Sequence, residues 1–489
     1  VVDLTVSLDG VNSFPTVVVA LPGLSVDDVA SAVAAEQERS VVRGPDRCVI
    51  EEWDRVLSGA DGSVVVATAT SLESVEVRRS VRDRAVTVWI DDPRSTVQPA
   101  MKRRFLGPLT TVADVLVEVD HRPGHLIAEE VVAALARVPP PAHARYLTES
   151  VTVDGGRSYA IHVGRGAREL VSKLVPDRAR RVAVLTQDGI GVDVETGREQ
   201  QTFVLPAGEG AKTLSVVEDL CSRFARWGMT RGDTVVTVGG GVVSDVGGFV
   251  AASYHRGVPV VHVSTTLLGQ IDAAIGGKCG VNLAEGKNLV GAFWQPMAVV
   301  CEIEALDTLP RDEFVAGMGE LAKYHFLGGG RLDRLPLVER VAAAARIKAE
   351  IVSADEREGG RRAILNYGHT LAHALETASG YRIRHGEAVA LGLVYAAEVA
   401  HRLDRIDQAR VDEHRRVVTG YGLSTSLAGL IDRYPVGPID VDQLLDLFSR
   451  DKKAVDGVTF VLDGPDGVET VRVNDREVLA DALDRVGRP

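Results

Sequence analysis

Short runs of β-branched residues punctuate the first two thirds of the chain, and alanine-rich stretches of helical spacing fill the rest. Thr16-Val-Val-Val-Ala20, Val64-Val-Val-Ala-Thr68 and Ala85-Val-Thr-Val-Trp-Ile90 read as buried strands, as do Arg181-Val-Ala-Val-Leu185, Asp233-Thr-Val-Val-Thr-Val238 and Val258-Pro-Val-Val-His-Val263. Helix-length segments separate them, which is the layout of an α/β sheet. From about Asp312 onward the pattern turns helical, as in Val341-Ala-Ala-Ala-Ala-Arg346. One boundary stands out. Leu126-Ile-Ala-Glu-Glu-Val-Val-Ala-Ala-Leu135 has helical spacing, and Val138-Pro-Pro-Pro-Ala142 follows it, where three prolines stop a helix and stiffen a linker. The chain therefore divides into an α/β domain at 1–138, a linker at 139–146, an α/β subdomain at 147–310 and a mainly helical subdomain at 311–489. No internal repeat or low-complexity tract interrupts this order.

Composition narrows the class. At 489 residues and 45% hydrophobic, the chain can bury two or three cores. No run of about 18 apolar residues is present, which argues against a membrane span. The opening Val-Val-Asp-Leu-Thr-Val lacks the basic and apolar blocks of a signal peptide, so a cytoplasmic address is expected. Cys48, Cys221, Cys279 and Cys301 are far apart and suggest neither a disulfide framework nor a thiolate zinc site. A formal charge of −13 argues against nucleic-acid binding, so an anionic ligand must be met by local clusters of cations.

Several motifs could supply such clusters. Gly239-Gly-Gly-Val-Val-Ser-Asp245 follows a predicted strand and opens a predicted helix, where bare backbone lets a pyrophosphate approach the N–H groups. Pro206-Ala-Gly-Glu-Gly-Ala-Lys212 carries one acid and one base, and Ser264-Thr-Thr-Leu-Leu-Gly-Gln-Ile-Asp272 places two hydroxyls directly after a strand. The glycine-rich stretch Gly276–Pro296 holds Lys278, Lys287 and Asn288 at spacings that could line a polar, phosphate-holding pocket. Arg256, Lys323, Lys348, Arg362 and the pair Lys452-Lys453 add cations beside other motifs.

The densest chemistry lies in Asn366-Tyr-Gly-His-Thr-Leu-Ala-His373. On a helix His369 and His373 share a face. With His385 and with Glu320 in an otherwise apolar stretch they suit Zn²⁺ or a similar divalent ion. Three protein ligands suffice for a catalytic ion with an open position, which leaves one histidine for acid–base work. Spacing does not say which.

These motifs, in this order from Pro206 to about Leu462, resemble 3-dehydroquinate synthase, a member of the sugar phosphate cyclases. The resemblance implies a Rossmann-like NAD-binding subdomain and an α-helical metal- and substrate-binding subdomain. It also implies a lyase that uses NAD⁺ and a divalent metal, zinc or cobalt, to form 3-dehydroquinate and phosphate from 3-deoxy-D-arabino-heptulosonate 7-phosphate. Carried over by motif position, the metal ligands are Glu320, His369 and His385, and His373 faces the substrate phosphate. Asp272, Lys278, Asn288, Lys323, Lys348, Arg362, Asn366 and one or both of Lys452 and Lys453 line the substrate pocket. Arg256 reaches the neighbouring subunit's site, which implies a homodimer. NAD⁺ contacts fall on Glu209, Lys212, Gly239, Gly240, Gly241, Asp245, Thr265, Thr266 and Lys287. Ser264, Cys279 and Ala372 depart from the family pattern without touching a residue of implied role. A cyclase acting on the aminated substrate, an NAD-linked metal-dependent polyol dehydrogenase and an inactive interaction module are the alternatives.

The strand order of the first 138 residues is similar to shikimate kinase, a P-loop fold. Its loop, however, reads Leu21-Pro-Gly-Leu-Ser-Val-Asp-Asp28, where a phosphate-binding loop needs Gly-x-x-x-x-Gly-Lys followed by Ser or Thr. Thr68-Ala-Thr-Ser71 stands where the kinase has a triple glycine. A kinase-like domain without kinase activity is expected.

Overall fold

The computed structural model describes residues 146–153, 157–437, 439–450 and 458–487 without interruption, and within 1–145 five strands and scattered further positions. The Leu21–Asp28 loop, the stretch 69–71, Val138-Pro-Pro-Pro-Ala142 and the Lys452-Lys453 pair lie outside the described residues. The chain divides into two compact units, residues 1–145 with 331–340, and residues 146–330 with 341–489.

The strands of the first unit are β1 (Thr16–Ala20), β2 (Val41–Arg43), β3 (Val64–Thr68), β4 (Val86–Asp91) and β5 (Val115–Glu118). They form one sheet in the order β2-β3-β1-β4-β5, parallel throughout. Val17, Val18, Val19, Val64 and Val65 are fully buried on consecutive positions, so both faces of the sheet are covered, as a parallel sheet requires.

The second unit is built on β6 (Tyr146–Val153), β7 (Arg157–Gly164), β8 (Arg181–Gln187), β9 (Glu199–Leu205), β10 (Thr234–Gly239) and β11 (Val260–Ser264). Next come a hairpin of β12 (Lys278–Leu283) and β13 (Gly286–Phe293), and then β14 (Ala298–Glu302). Seven of these make a sheet in the order β6-β7-β14-β11-β10-β8-β9, in which only the edge strand β6 runs antiparallel to its neighbour. Every residue of β10, β11 and β14 is buried, because helices cover both sides. Helix α1 (Leu214–Trp227) shows the local logic. Thr213 caps its start by accepting from the Val216 N–H, Gly228 ends it at φ +79°, and Val217, Leu220 and Phe224 bury one stripe. Helix α2 (Gly241–Ser253) follows β10 directly.

Two stretches take forms that the sequence pattern did not announce. The glycine-rich Gly276–Pro296 stretch is largely the β12–β13 hairpin, where Gly280 and Gly291 face each other so closely that a Cβ on either would strike partner backbone, at 2.6 and 2.2 Å. The segment beyond Asp312 is not helical throughout. After α3 (Arg311–Tyr324), α4 (Leu337–Ala354), α5 (His369–Ala378), α6 (His385–Arg402), α7 (Gln408–Gly420) and α8 (Val441–Arg450) it returns to an antiparallel pair, β15 (Val458–Leu462) and β16 (Glu469–Val473), before α9 (Arg476–Gly487). The strand Val458–Leu462 is a short apolar run with Phe460, Val461 and Leu462 buried, and a run this short carries no helical or alternating period to announce it. Among the described residues, no helix is long and apolar enough to cross a membrane.

Helix α6 is the axis of the helical part. Residues 386–400 are buried on every side, and α3, α5, α7 and α9 pack around it. Glycines set how closely. A Cβ on Gly319 of α3 would lie 1.8 Å from the Gly386 carbonyl oxygen, and one on Gly386 would lie 1.6 Å from the Ala316 oxygen. Further along, Gly392 meets the backbone oxygen of Gly368 in the same way, at 1.9 Å. These contacts are backbone on backbone, so no rotamer change can relieve an added methyl group. Gly319→Ala is therefore expected to destabilise the second unit by about 3 kcal/mol, whereas Gly420→Ala, where a Cβ meets nothing within 4 Å, should stay within about 1 kcal/mol. Urea denaturation of the two variants checks the difference.

Candidate metal and nucleotide site

The end of β10 and the start of α2 form the floor of a cavity of about 900 Å³. Gly240 occupies the N-cap position of α2 without a side-chain cap, which leaves backbone N–H groups at a positive helix end facing open space. The glycines are also dictated by packing. A Cβ on Gly239 would fall 2.5 Å from the Val243 side chain, and one on Gly240 would fall 2.8 Å from that of Thr266. Glu209, Lys212, Gly240, Gly241, Asp245, Thr265, Thr266 and Lys287 all line this cavity, whereas Gly239 sits beneath it. The Lys212 ammonium lies 2.7 Å from Asp245, 2.5 Å from the Asn288 amide oxygen and 3.6 Å from Glu209. Burial pushes the Asp245 carboxyl up to about 6 even though Lys212 opposes that shift.

On the opposite wall stand the histidines. His369 and His373 open α5, His385 opens α6, and Glu320 comes from the last turn of α3. The Glu320 carboxylate, fully buried, lies 3.0 Å from His385 Nε2 and 3.3 Å from His369 Nε2, and the ligand atoms of all three residues fall within 4.8 Å of one another. The rings are pre-set for a cation. His369 Nδ1 lies 3.1 Å from the Tyr367 carbonyl, and His385 Nδ1 lies 3.1 Å from Glu376. Each Nδ1–H therefore donates outward and each Nε2 lone pair turns toward Glu320. Three converging donors of this kind suit a divalent ion with a position left open. His373 is exposed and lines the cavity, its ring 5.6 Å from His369 and 6.3 Å from His385, and it is not part of the three-ligand cluster.

Charge is balanced locally. Burial disfavours an ionised Glu320, but Lys323 at 2.5 Å and His369 hold its carboxyl well below the usual range. Burial likewise opposes protonation of His385, yet Glu320 and Glu376 together push it up to about 10. A cation belongs here, and a metal ion would take over the proton's part.

Behind this wall lies a cationic group. Lys348 contacts the Asp272 carboxylate, and burial brings its ammonium down to about 8. Arg362, 1% exposed, donates to the backbone oxygens of Glu356 and Gly276. Lys278 pairs with Glu358 at 2.6 Å, and Asn366 donates to the same carboxylate at 3.3 Å. Asn288 sits at φ +56° beside Lys212, so among the substrate-pocket residues it is the one that the structure brings to the nucleotide-side group. Arg256 joins neither group. It is exposed at φ +63°, next to His255 at φ +50°.

The sequence reading passed over Glu376, Glu358, Tyr367 and Asp188. Glu376 had a signal, because it lies seven residues after His369 and three after His373 and so shares their helix face. Asp188 lines the cavity just beyond the carboxyl end of β8, where open α/β sheets bind ligands.

Two family models match the second unit. The family described as 3-dehydroquinate synthase N-terminal matches residues 202–316, and that described as 3-dehydroquinate synthase C-terminal matches 317–454. A protein of Amycolatopsis mediterranei (strain S699), provisionally named aminodehydroquinate synthase, is 49% identical over 336 residues, 68% of this chain and 93% of that protein. The 3-dehydroquinate synthase of Thermobifida fusca (strain YX) is 44% identical over 293 residues, 55% of this chain and 80% of that one. Among solved structures, 2-deoxy-scyllo-inosose synthase complexed with carbaglucose-6-phosphate, NAD⁺ and Co²⁺ superposes with a TM-score of 0.60 at 26% identity, covering 70% of this chain and all of that one.

The geometry separates the histidines by experiment. His369→Ala should lower affinity for Co²⁺ by at least about a hundredfold, and His373→Ala should change it by less than about threefold. Titration of the metal-free protein, read by Co²⁺ absorption, checks both.

Proposed function

The chain belongs to the 3-dehydroquinate synthase family, and from that premise we propose that it converts 3-deoxy-D-arabino-heptulosonate 7-phosphate to 3-dehydroquinate and phosphate. The observation that carries this reading is the meeting of the Glu320–His369–His385 cluster with a glycine-floored cavity on one side and a group of buried cations on the other.

In this reading Glu320, His369 and His385 hold Zn²⁺ or Co²⁺, and Glu209, Lys212, Gly239 to Gly241, Asp245, Thr265, Thr266 and Lys287 hold NAD⁺. When bound, these two groups supply transient oxidation and re-reduction of the substrate's secondary alcohol. The oxidised stage acidifies the adjacent C–H, phosphate leaves by β-elimination, and ring opening with an intramolecular aldol closure completes the carbocycle without net redox change. The chain's own part is binding, orientation and charge. Lys278, Asn288, Lys323, Lys348, Arg362, Asn366 and His373, with Lys452 and Lys453, meet the carboxylate and phosphate ends, and Asp272 holds Lys348 in place. Cations aimed at the departing phosphate stabilise charge where it develops. Gripping both ends keeps a multistep substrate in register for the closing aldol. For Arg256, exposed beside His255 with both residues at positive φ, the reading remains the one the family resemblance implies, a reach to the neighbouring subunit's site in a homodimer.

A second reading, the aminated substrate, is favoured by one observation: the relative at 49% identity carries that name. Incubation with each heptulosonate phosphate, NAD⁺ and Co²⁺ decides between them by the ratio of kcat/KM. Phosphate release without net NADH is expected, NADH accumulation would make the protein a dehydrogenase, and neither would leave an interaction module.

For residues 1–138 we propose a kinase-like scaffold without phosphotransfer. The central strand β1 lies between β3 and β4, the point where strand order reverses and where parallel sheets bind their ligands. The segment after it carries Asp27 and Asp28 and no lysine. Residues 1–140 should fail to bind Mg-ATP or phosphorylate shikimate at any rate above background; saturable Mg-ATP binding followed by phosphorylation would sink the idea.

A further inference from the structure

Glu376 stands between two groups that the functional reading assigns to different ligands. One oxygen of its carboxylate lies 3.1 Å from His385 Nδ1, and the other lies 3.7 Å from the Lys287 ammonium. Glu376 is 8% exposed and lines the same cavity. Lys287 comes from β13 of the hairpin, a separate element, and its ammonium also sits 4.2 Å from the centre of the Tyr381 ring. The link is therefore an alternating chain, His385 to Glu376 to Lys287, that joins the candidate metal cluster to the cavity.

We propose that Glu376 is a positioning residue that couples occupancy of the metal cluster to occupancy of the nucleotide cavity. The inference rests on the reading that Lys287 meets an anionic part of NAD⁺ and that His385 ligates the ion. Its physical basis is competition for one cation. While Lys287 pairs with Glu376, it draws off part of the carboxylate's negative charge, and the His385 ring receives less. A dinucleotide phosphate in the cavity offers Lys287 a second anion, so its hold on Glu376 loosens. The carboxylate then bears more fully on His385 Nδ1–H, which raises the ring's basicity at Nε2 and favours a cation there. By linkage the reverse holds equally: a bound ion engages Glu376 through His385 and frees Lys287 for the nucleotide.

The test uses the whole 489-residue chain stripped of metal, with Co²⁺ absorption reporting the ion and fluorescence titration reporting NAD⁺. In the unmodified protein, saturating NAD⁺ should tighten Co²⁺ binding by about tenfold, and Co²⁺ should tighten NAD⁺ by the same factor. Glu376→Gln keeps an acceptor for His385 but loses the charge. Both ligands should still bind, Co²⁺ about tenfold or more weakly, and the mutual enhancement should fall to about one. Lys287→Met should act with the opposite sign on Co²⁺ alone, tightening it in the absence of nucleotide while abolishing the enhancement. A carboxylate that merely props up the fold would weaken Co²⁺ without moving the coupling factor. Persistence of the enhancement in Glu376→Gln, or its absence from the unmodified protein, overturns the proposal. If the unmodified protein binds no Co²⁺ or no NAD⁺, the functional reading itself falls first.

Discussion

The site depends on how closely two stretches of backbone, in α3 and at Gly368, can approach α6. Each residue of the candidate metal cluster is the immediate neighbour of a glycine at such a contact: Glu320 follows Gly319, His369 follows Gly368, and His385 precedes Gly386. Gly319 and Gly386 meet where α3 crosses α6, and Gly368, at φ +83°, lies against Gly392 two turns further along. With side chains at these positions the helices would stand apart by about the width of a methyl group or more, and the short reach of a glutamate on one helix would no longer bring its oxygen to 3.0 Å from an imidazole on the other. The chemistry is thus set by residues that carry none of it.

Close approach removes water, and the charges must then compensate one another. They do so as an alternating string. Lys348 touches Asp272, Lys323 lies between Asp272 and Glu320, Glu320 reaches His369 and His385, and His385 reaches Glu376, which ends on Lys287. Every buried ion in the string has an opposite neighbour, and most have two. Taking any member away would leave a charge unpaired in a region of low dielectric, a loss of about 3–5 kcal/mol for a pair of this kind. Stability and function are therefore hard to separate here by deleting a single charge, and isosteric replacements such as Glu to Gln are the informative ones.

How much of this was legible in the sequence follows from the range of the interactions. Contacts within one element or one turn could be read directly. The strand-to-helix step at Gly239–Asp245 and the i, i+4 pair His369 and His373 both stand where their local patterns place them. Spacing could not divide the histidines, because that division is made by Glu320, which arrives from a helix about 50 residues earlier. It also did not reveal the hairpin of β12 and β13, since a strand rich in glycine and lysine lacks the apolar alternation that marks a strand; its pairing comes from the mutual fit of Gly280 and Gly291. Asn288 illustrates the same limit. Spacing could place it in a polar pocket, but not show that its backbone, at φ +56°, turns the amide oxygen to Lys212.

The cationic group behind the metal cluster is paired but desolvated, and that strain has a direction. Burial brings the Lys348 ammonium down to about 8 although Asp272 touches it, so the charged form is only partly compensated. Arg362 is lowered by burial as well, and among the described residues no group accepts from its buried Nε–H. A donor left in this state costs about 1–3 kcal/mol. The fold bears that cost in advance, and an anionic group entering the region recovers it. Such an anion would raise the Lys348 ammonium toward its ordinary value and give the Arg362 donor an acceptor. Binding energy of this kind belongs to charge rather than to shape, so it is available wherever negative charge develops near these two residues. An elimination that expels phosphate, as in the proposed reaction, would draw on it most, because the charge on the leaving group grows as the bond breaks.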